Sequence, residues 1–148
     1  MFSTILDGPK VSEQLQPLPA QEEEKPSILL IDDDDVHTDV LSRRLKGQGF
    51  DTMSADSGES GFALAEREIP SVILLDLNLP DTDGLQVCEA LADSAETCAV
   101  PVIILSAVEK PDLLRRCRAA GCTYFIRKPY DPNALLLLIH QAIRDSAE

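Results

Sequence analysis

The sequence predicts an α/β fold in which five parallel strands form one open, doubly wound sheet. Short apolar segments alternate five times with segments of helical character. Three of the apolar segments contain uninterrupted runs of Ile, Leu and Val, at residues 28–31, 72–75 and 102–105, and such runs are typical of central parallel strands covered on both faces. Alternating strands and helices imply right-handed crossovers, which place helices on both sides of the sheet.

Each strand is expected to be followed by its own helix. The predicted strands are residues 27–31, 51–55, 71–76, 100–107 and 122–128, and the predicted helices are residues 36–49, 58–68, 84–94, 110–121 and 131–145. The second strand, DTMSA, is polar enough to lie at an edge of the sheet. Gly49 and Gly121 occupy positions where glycine commonly ends a helix.

Three helices carry apolar residues at helical spacing. The sets predicted to share one face are Val36, Val40, Leu41 and Leu45 in the first helix, Leu85, Cys88 and Leu91 in the third, and Leu135, Leu138, Ile139 and Ala142 in the fifth. The fifth helix has three further apolar residues, Leu136, Leu137 and Ile143. A wide buried stripe explains some of this excess, and a partner or dimer surface explains the rest.

Residues 1–26 differ in composition from the remainder of the chain. They contain four of the ten prolines and the acidic run Glu22-Glu23-Glu24. Such a segment cannot bury enough apolar surface to offset the entropy of ordering it, so we predict a flexible extension over residues 1–26. The folded domain is expected over residues 27–148. Whether it stands alone or is a piece of a longer protein remains open at this point.

The chain is strongly acidic, with 26 Asp and Glu against 13 Lys and Arg and a net charge of −13. This balance disfavours direct binding to nucleic acid or to an anionic membrane, because both require cationic side chains. It suits a protein that uses carboxylates to hold a cation. The absence of a signal-like start or of a long apolar stretch favours a cytoplasmic protein. The four cysteines lack the spacing of a zinc site and are interpreted as reduced thiols.

Polar residues follow several of the predicted strands. In a sheet of order 2-1-3-4-5 the first and third strands are neighbours, so Asp32, Asp33 and Asp76 are expected to converge at the edge where ligands bind. Three close carboxylates repel one another unless a divalent cation neutralises them, and Mg²⁺ is the natural candidate. Ser106 and Lys128 end the fourth and fifth strands and would add a hydroxyl and an ammonium. This combination suits phosphoryl transfer.

The motifs ILLIDDDD, VILLDLNLPDTDG, IILSA and FIRKP resemble those of the receiver domain of two-component response regulators, including its stand-alone chemotaxis type. The resemblance covers about residues 27–145. It implies a flavodoxin-like (βα)5 fold with the strand order given above. It also implies that Asp76 accepts a phosphoryl group from a sensor histidine kinase or a phosphotransfer protein, so the protein is expected to be a signalling switch and not an enzyme.

The resemblance also implies roles for single residues. Asp32, Asp33 and Asp76 would hold Mg²⁺ together with the backbone carbonyl of Asn78. Ser106 and Lys128 would bind phosphoryl oxygens once Asp76 carries them. Ser106 would then act as a switch together with Phe125. A downstream protein would dock on the side between the fourth and fifth helices, and a homodimer is a further possibility.

Several polar residues near the predicted site are expected to have structural roles. Asp34 or Asp35 is expected to cap the first helix, and Asp81 and Asp83 are expected to serve turn geometry and a helix start. For His37, a place on the helix surface is expected in preference to metal ligation.

The sequence also allows two alternative functions. A receiver fold could act as an interaction module without phosphorylation. A phosphatase of the haloacid dehalogenase type would require a second aspartate where Asn78 stands.

Overall fold

The computed structural model describes residues 25–108 and 110–147, and in this part of the chain five strands alternate with five helices. In chain order the elements are β1 (Ser27–Ile31), α1 (Asp35–Gly47), β2 (Asp51–Ala55), α2 (Gly58–Glu68), β3 (Val72–Asp76), α3 (Gly84–Asp93), β4 (Val102–Ser106), α4 (Leu113–Ala119), β5 (Tyr124–Arg127) and α5 (Pro132–Ser146). All ten elements occur where the sequence predicted them, with ends that differ by a few residues. The predicted extension lies outside the described residues except for its last two.

The strands form one sheet in the order β2-β1-β3-β4-β5, and every neighbouring pair is parallel. The predicted fold class and strand order are therefore confirmed. The polar strand β2 lies at an edge, also as predicted. Every residue of the central strands β3 and β4 is buried, which explains why their sequences are continuously apolar up to the polar residue that ends each strand.

Successive residues of each central strand face opposite sides of the sheet, which creates two hydrophobic cores. Leu29 and Ile31 of β1 belong to the core that α2, α3 and α4 cover. Ile28 and Leu30 belong to the core that α1 and α5 cover. The sheet is thus covered by helices on both faces, and exposed residues of its strands lie in the edge strands β2 and β5. The carboxyl ends of β1, β3, β4 and β5 meet at one end of the sheet.

The predicted face of α1 is only half correct. Leu41 and Leu45 are buried, but Val36 and Val40 are 73% and 58% exposed. Val36 and Val40 are four residues apart and so share a stripe with each other. Leu41 directly follows Val40, and successive residues of an α-helix are about 100° apart around its axis, so the stripe with Leu41 and Leu45 faces a different direction. The sequence pattern joined two adjacent stripes of one helix, and only one of them faces the sheet.

The predicted buried set of α3 is confirmed, because Leu85, Cys88 and Leu91 are all buried. In α5, three members of the predicted stripe are buried and Leu138 is partly buried. Two of the three excess apolar residues, Leu136 and Ile143, pack against the core from partly buried positions. Of the three additional apolar residues, only Leu137 is therefore largely exposed, at 70%.

The ends of the helices follow the expected capping chemistry. Asp34 is the N-cap of α1, and its side chain accepts hydrogen bonds from the amides of Val36 and His37. Gly49 and Gly121 have φ angles of 96° and 104°, which is the left-handed backbone that favours glycine after a helix. All four cysteines are free. Burial raises the pKa of the Cys88 thiol to about 12, so this thiol stays protonated at neutral pH.

None of the helices in the described part of the chain is long and apolar enough to cross a membrane.

Candidate functional site

Two buried carboxylates and a lysine meet at the carboxyl ends of the strands. Asp32 follows β1, Asp76 is the last residue of β3, and Lys128 follows β5. The Nζ atom of Lys128 lies 2.7 Å from Oδ2 of Asp76 and 3.9 Å from Oδ2 of Asp32. Asp32 and Asp76 are only 6% and 7% exposed, so each requires a partner for its charge. We refer to these three residues as the acid pocket.

The local backbone fixes the direction of both carboxylates. The amide of Asp34 donates to Oδ1 of Asp32 at 2.9 Å, and the amide of Asn78 donates to Oδ1 of Asp76 at 2.8 Å. In both cases the donor stands two residues further along the chain, the arrangement of an Asx turn. This turn directs Oδ2 of Asp76 towards Lys128. The polar residues that end these strands therefore have a geometric role as well as a charge.

The electrostatics of Asp32 favour its ionised form. Burial acts to raise the pKa of this carboxyl, but the hydrogen bonds from His37 and from the Asp34 amide, together with the charge of Lys128, outweigh burial. The pKa of Asp32 is consequently lowered from its ordinary value. Asp32 is therefore a carboxylate at neutral pH, which is the form that can ligate a cation.

Asp33 is exposed, and the described ion pairs and hydrogen bonds do not join it to the acid pocket. Among residues 25–108 and 110–147 no group of three or more His, Cys, Asp or Glu side chains is arranged to hold a metal ion. The structure thus brings two of the three predicted carboxylates around Lys128. The role of Asp33 as a metal ligand stays a prediction.

The donor set of the acid pocket nevertheless fits Mg²⁺. Two buried carboxylates against one ammonium leave a net negative charge at this end of the sheet. Mg²⁺ is commonly bound through one or two carboxylates, and it keeps several waters that phosphoryl oxygens can replace. Asp32 and Asp76 meet that requirement. Asn78 follows Asp76 in the loop between β3 and α3, where its backbone carbonyl could serve as a further oxygen ligand.

Ser106, the predicted hydroxyl, ends β4 and is only 1% exposed. Its Oγ accepts a hydrogen bond of 3.0 Å from the amide of Val108. Its backbone carbonyl accepts a 2.9 Å hydrogen bond from the amide of Lys128, which ties β4 to the residue that follows β5. Phe125 is partly buried and lines, with Val108 and Leu114, a groove of about 430 Å³ next to α4.

His37 and Tyr130 are the site residues that sequence reasoning missed. The Nδ1 atom of His37 lies 2.6 Å from Oδ2 of Asp32, and its Nε2 atom lies 2.7 Å from the Tyr130 hydroxyl. His37 is therefore not the surface residue expected from the sequence. One signal was available: His37 stands in the first turn of α1, and helical side chains lean towards the N-terminus, which here is the strand end that carries Asp32.

Asp81 connects the loop after β3 to a neighbouring helix. Its Oδ1 and Oδ2 atoms accept hydrogen bonds of 2.7 Å and 2.9 Å from the amides of Gly58 and Glu59, the first two residues of α2. A side chain at position 58 would require its neighbours to move, because its Cβ would overlap with the side chains of Thr82 and Val87. The sequence predicted turn geometry and a helix start for Asp81 and Asp83, and the contact of Asp81 with α2, whose N-cap is Ser57, could not be read from that pattern. Asp83 is the N-cap of α3, as expected.

The contribution of Asp81 to stability is expected to depend on pH. The amides of Gly58 and Glu59 lower the pKa of Asp81, so the folded state favours the carboxylate. The stabilisation is therefore present above the unfolded pKa of about 3.9 and is lost as the pH falls through the lower folded value. We expect Asp81→Asn to destabilise the protein at pH 7, and the difference from wild type to narrow below about pH 4.

Urea unfolding of both proteins at a series of pH values measures this difference. Asp39→Asn is a suitable control, because it removes only an exposed ion pair with Arg43 and should have little effect at any pH. A difference between wild type and Asp81→Asn that is constant from pH 7 to pH 3 would show that the charge of Asp81 does not stabilise the fold.

The fold and the acid pocket together define a class of protein: a doubly wound α/β domain with paired carboxylates and a lysine at the carboxyl edge of its sheet. The family model of the response regulator receiver domain matches residues 28–140. The chain belongs to this family, and it is a receiver domain of the kind found in two-component response regulators.

Two curated relatives and two solved structures illustrate the similarity. The chain is 34% identical over 119 residues to the "DNA-binding dual master transcriptional regulator RpaA" of Synechocystis, covering 80% of this chain and 49% of RpaA. It is 32% identical over 116 residues to Protein PilH of Pseudomonas aeruginosa, covering 78% of this chain and 96% of PilH. It thus spans about half the length of the first relative and nearly all of the second.

Of the solved structures, the receiver domain of sensor histidine kinase PA1611 from Pseudomonas aeruginosa has a TM-score of 0.74 at 26% identity, and the match covers 81% of this chain and 98% of that one. That structure is described with a magnesium ion coordinated in its active site cleft. A CheY-like receiver domain protein from Methanospirillum hungatei has a TM-score of 0.79 at 24% identity, covering 84% of this chain and 98% of that one. The latter similarity concerns the fold alone.

Proposed function

We propose that the protein is a phosphorylation switch in which Asp76 accepts a phosphoryl group in an Mg²⁺-dependent reaction. The observation that carries the proposal is the position of Asp76, which is nearly buried at the end of β3 with its Oδ2 atom 2.7 Å from Nζ of Lys128. Phosphoryl transfer requires mainly a positioned nucleophile and positive charge near the phosphoryl oxygens. The acid pocket supplies the nucleophile and one of the charges.

In the proposed reaction a carboxylate oxygen of Asp76 attacks the phosphorus of a phosphohistidine. The new O–P bond gives an acyl phosphate as the P–N bond breaks, and the histidine of the donor leaves with the electron pair of that bond. The Lys128 ammonium remains close to Asp76 and stabilises the negative charge of the transferred group. Water has little access to the nucleophile before the donor docks, because Asp76 is only 7% exposed.

Asp32, Asp33, Asp76 and the backbone carbonyl of Asn78 are the residues that we propose to hold Mg²⁺. When bound, the ion supplies positive charge opposite the phosphoryl oxygens. The magnesium ion described for the PA1611 receiver domain supports this assignment by analogy. The lowered pKa of Asp32 supports it from the chain itself, because the carboxylate needs no deprotonation before it binds the cation.

The switch is proposed to begin at Ser106. In the unphosphorylated structure the Ser106 hydroxyl oxygen accepts a hydrogen bond from the Val108 amide. After phosphorylation the hydroxyl would turn to donate a hydrogen bond to a phosphoryl oxygen. Val108 and Phe125 line the same groove beside α4, so a movement of the loop after β4 would reach Phe125. The surface of α4, β5 and α5 would then change its affinity for a downstream protein or for a second copy of the chain.

The phosphoryl donor is proposed to be a sensor histidine kinase or a phosphotransfer protein in the cytoplasm. We propose that the phosphorylated domain signals by binding another protein. Direct binding of nucleic acid is not expected, since the domain carries a large excess of negative charge. Arg115, Arg116 and Arg118 are all exposed on α4, and they give this one surface a cationic character that would suit an acidic partner.

Incubation of the full chain with acetyl phosphate or phosphoramidate tests the proposal. Intact-mass spectrometry is expected to show the addition of one phosphoryl group when Mg²⁺ is present. No adduct should form when a chelator removes Mg²⁺ before the phosphoryl donor is added. Absence of an adduct even with Mg²⁺ present would contradict the proposal and would favour a receiver-fold interaction module. Steady turnover of p-nitrophenyl phosphate would instead indicate a phosphatase, and we expect none.

A further inference from the structure

The side chain of His37 links two parts of the chain that are far apart in sequence. One ring nitrogen lies 2.6 Å from Oδ2 of Asp32, which follows β1. The other lies 2.7 Å from the hydroxyl of Tyr130, in the loop between β5 and α5, 93 residues away along the chain. The rings of His37 and Tyr130 also meet edge to face, with centroids 5.9 Å apart. The side chain of His37 is 23% exposed, so the network is largely protected from water.

The direction of these hydrogen bonds follows from their chemistry. The carboxylate of Asp32 can only accept, so Nδ1 of His37 carries the hydrogen that it donates. In the neutral ring Nε2 is then the acceptor, and the Tyr130 hydroxyl donates to it. Tyr130 thus fixes the plane of the His37 ring, and the ring fixes one oxygen of Asp32. The other oxygen of Asp32 is held by the amide of Asp34 at 2.9 Å.

This network determines how Asp32 is presented to the acid pocket. With one hydrogen bond on each oxygen, the Asp32 carboxylate cannot rotate without losing a partner in a buried site. Its remaining lone pairs therefore point in fixed directions. Lys128 stands 3.9 Å from Oδ2 of Asp32, and without His37 only the Asp34 amide would restrain the carboxylate against turning towards this ammonium. Tyr130 follows Lys128 by two residues, so the same network also links the loop that carries the lysine to Asp32.

We propose that His37 and Tyr130 act as a unit of positioning residues that orient Asp32 for Mg²⁺. The proposal deepens the proposed function and rests on its metal site. Neither residue would touch the ion or the phosphoryl group. Partners that orient metal ligands in this way commonly contribute about 10- to 100-fold to metal affinity. The effect of Tyr130 on Asp32 is expected to depend on His37, because Tyr130 contacts the His37 ring and the ring contacts Asp32.

The test is a double-mutant cycle on Mg²⁺ affinity, measured at one fixed pH by ¹H–¹⁵N NMR titration of the unphosphorylated full chain. His37→Ala and Tyr130→Phe are each expected to weaken binding by about 10-fold or more. The double variant should be no weaker than His37→Ala alone, since the Tyr130 hydroxyl has no route to Asp32 without the ring. His37→Gln keeps an amide that can donate to Asp32 and should recover part of the affinity.

Tyr124→Phe is the matched control. It removes a tyrosine hydroxyl that donates to Oδ2 of Asp145 at 3.0 Å on the protein surface, so Mg²⁺ affinity should stay at the wild-type value. Thermal unfolding of every variant separates loss of affinity from loss of fold.

Wild-type affinity in Tyr130→Phe, or independent and additive losses in the double variant, would overturn the inference while leaving phosphorylation of Asp76 intact. Absence of Mg²⁺ binding to the wild type would overturn both the inference and the metal site. A receiver that binds Mg²⁺ but forms no adduct with phosphoramidate would count only against the proposed function.

Discussion

Replacement of Asp76 by asparagine is expected to abolish covalent phosphorylation of the protein. Asparagine has nearly the same size and can still accept a hydrogen bond from Lys128, but its neutral amide oxygen is a far weaker nucleophile than a carboxylate. The loss should therefore be complete on the time scale on which the wild type is modified. Intact-mass spectrometry after incubation with phosphoramidate and Mg²⁺ measures it directly.

Asp39→Asn provides the control, because Asp39 lies on the exposed surface of α1 and its loss should leave the adduct unchanged. Reduction of the acyl phosphate with borohydride, followed by peptide mapping, locates the modified residue in the wild type without any substitution. An undiminished adduct on Asp76→Asn, or a reduced residue at any position other than 76, would show that the nucleophile has been assigned incorrectly.

The second large effect is expected at Gly84, the first residue of α3. A Cβ atom at this position would lie 2.6 Å from Cα of Leu77 and 2.8 Å from the carbonyl oxygen of Asp76. Both neighbours are backbone atoms of the segment that contains Asp76, so a side-chain rotation cannot relieve the clash. We expect Gly84→Ala to lower the free energy of unfolding by about 1–3 kcal/mol, the usual cost of overpacking. Because Asp76 would be displaced, phosphorylation should also become slower.

Gly47→Ala is the matched control for this substitution. Gly47 is the last residue of α1, and an added Cβ would meet nothing within 4 Å. Alanine in a helix is favoured over glycine by about 0.5–1 kcal/mol, so this variant should be as stable as the wild type or slightly more stable. Urea unfolding of both variants measures the contrast. Equal stability of Gly84→Ala and Gly47→Ala would mean that α3 can move away from β3 without cost.

Most of the fold could be predicted because strand burial leaves a strong signal in the sequence. Strands such as β3 and β4 are covered on both faces and are therefore continuously apolar. The face of α1 was harder to predict, because apolar residues at positions 36 and 40 have helical spacing without being buried. Hydrophobic periodicity identifies a helix reliably, but it does not choose between two adjacent stripes of the same helix. That choice depends on how the helix is rotated against the sheet.

The sequence predicted which residues stand at the strand ends of the candidate site, but it did not predict the hydrogen bonds between their side chains. Parallel strands bring their carboxyl ends to one edge, which was enough to place Asp32, Asp76 and Lys128 together. The position of a helix in space decided the roles of Asp81 and His37. Asp81 contacts amides 22 and 23 residues earlier in the chain, and Tyr130, the second partner of His37, lies 93 residues later. Spacing in the sequence carries no information on such pairs.

The three residues of the acid pocket stand at the ends of β1, β3 and β5, the first, third and fifth strands in chain order. Lys128 is separated from Asp76 by 52 positions, and it reaches this carboxylate only when β4 and β5 have both joined the sheet. During translation Asp76 therefore leaves the ribosome before Lys128, the ion-pair partner of its carboxylate. A nascent or truncated chain that ends before β5 would display Asp76 without the surroundings needed to use it. The acid pocket is in this way completed only when the domain is complete, so under the proposed function an unfinished copy would not accept a phosphoryl group.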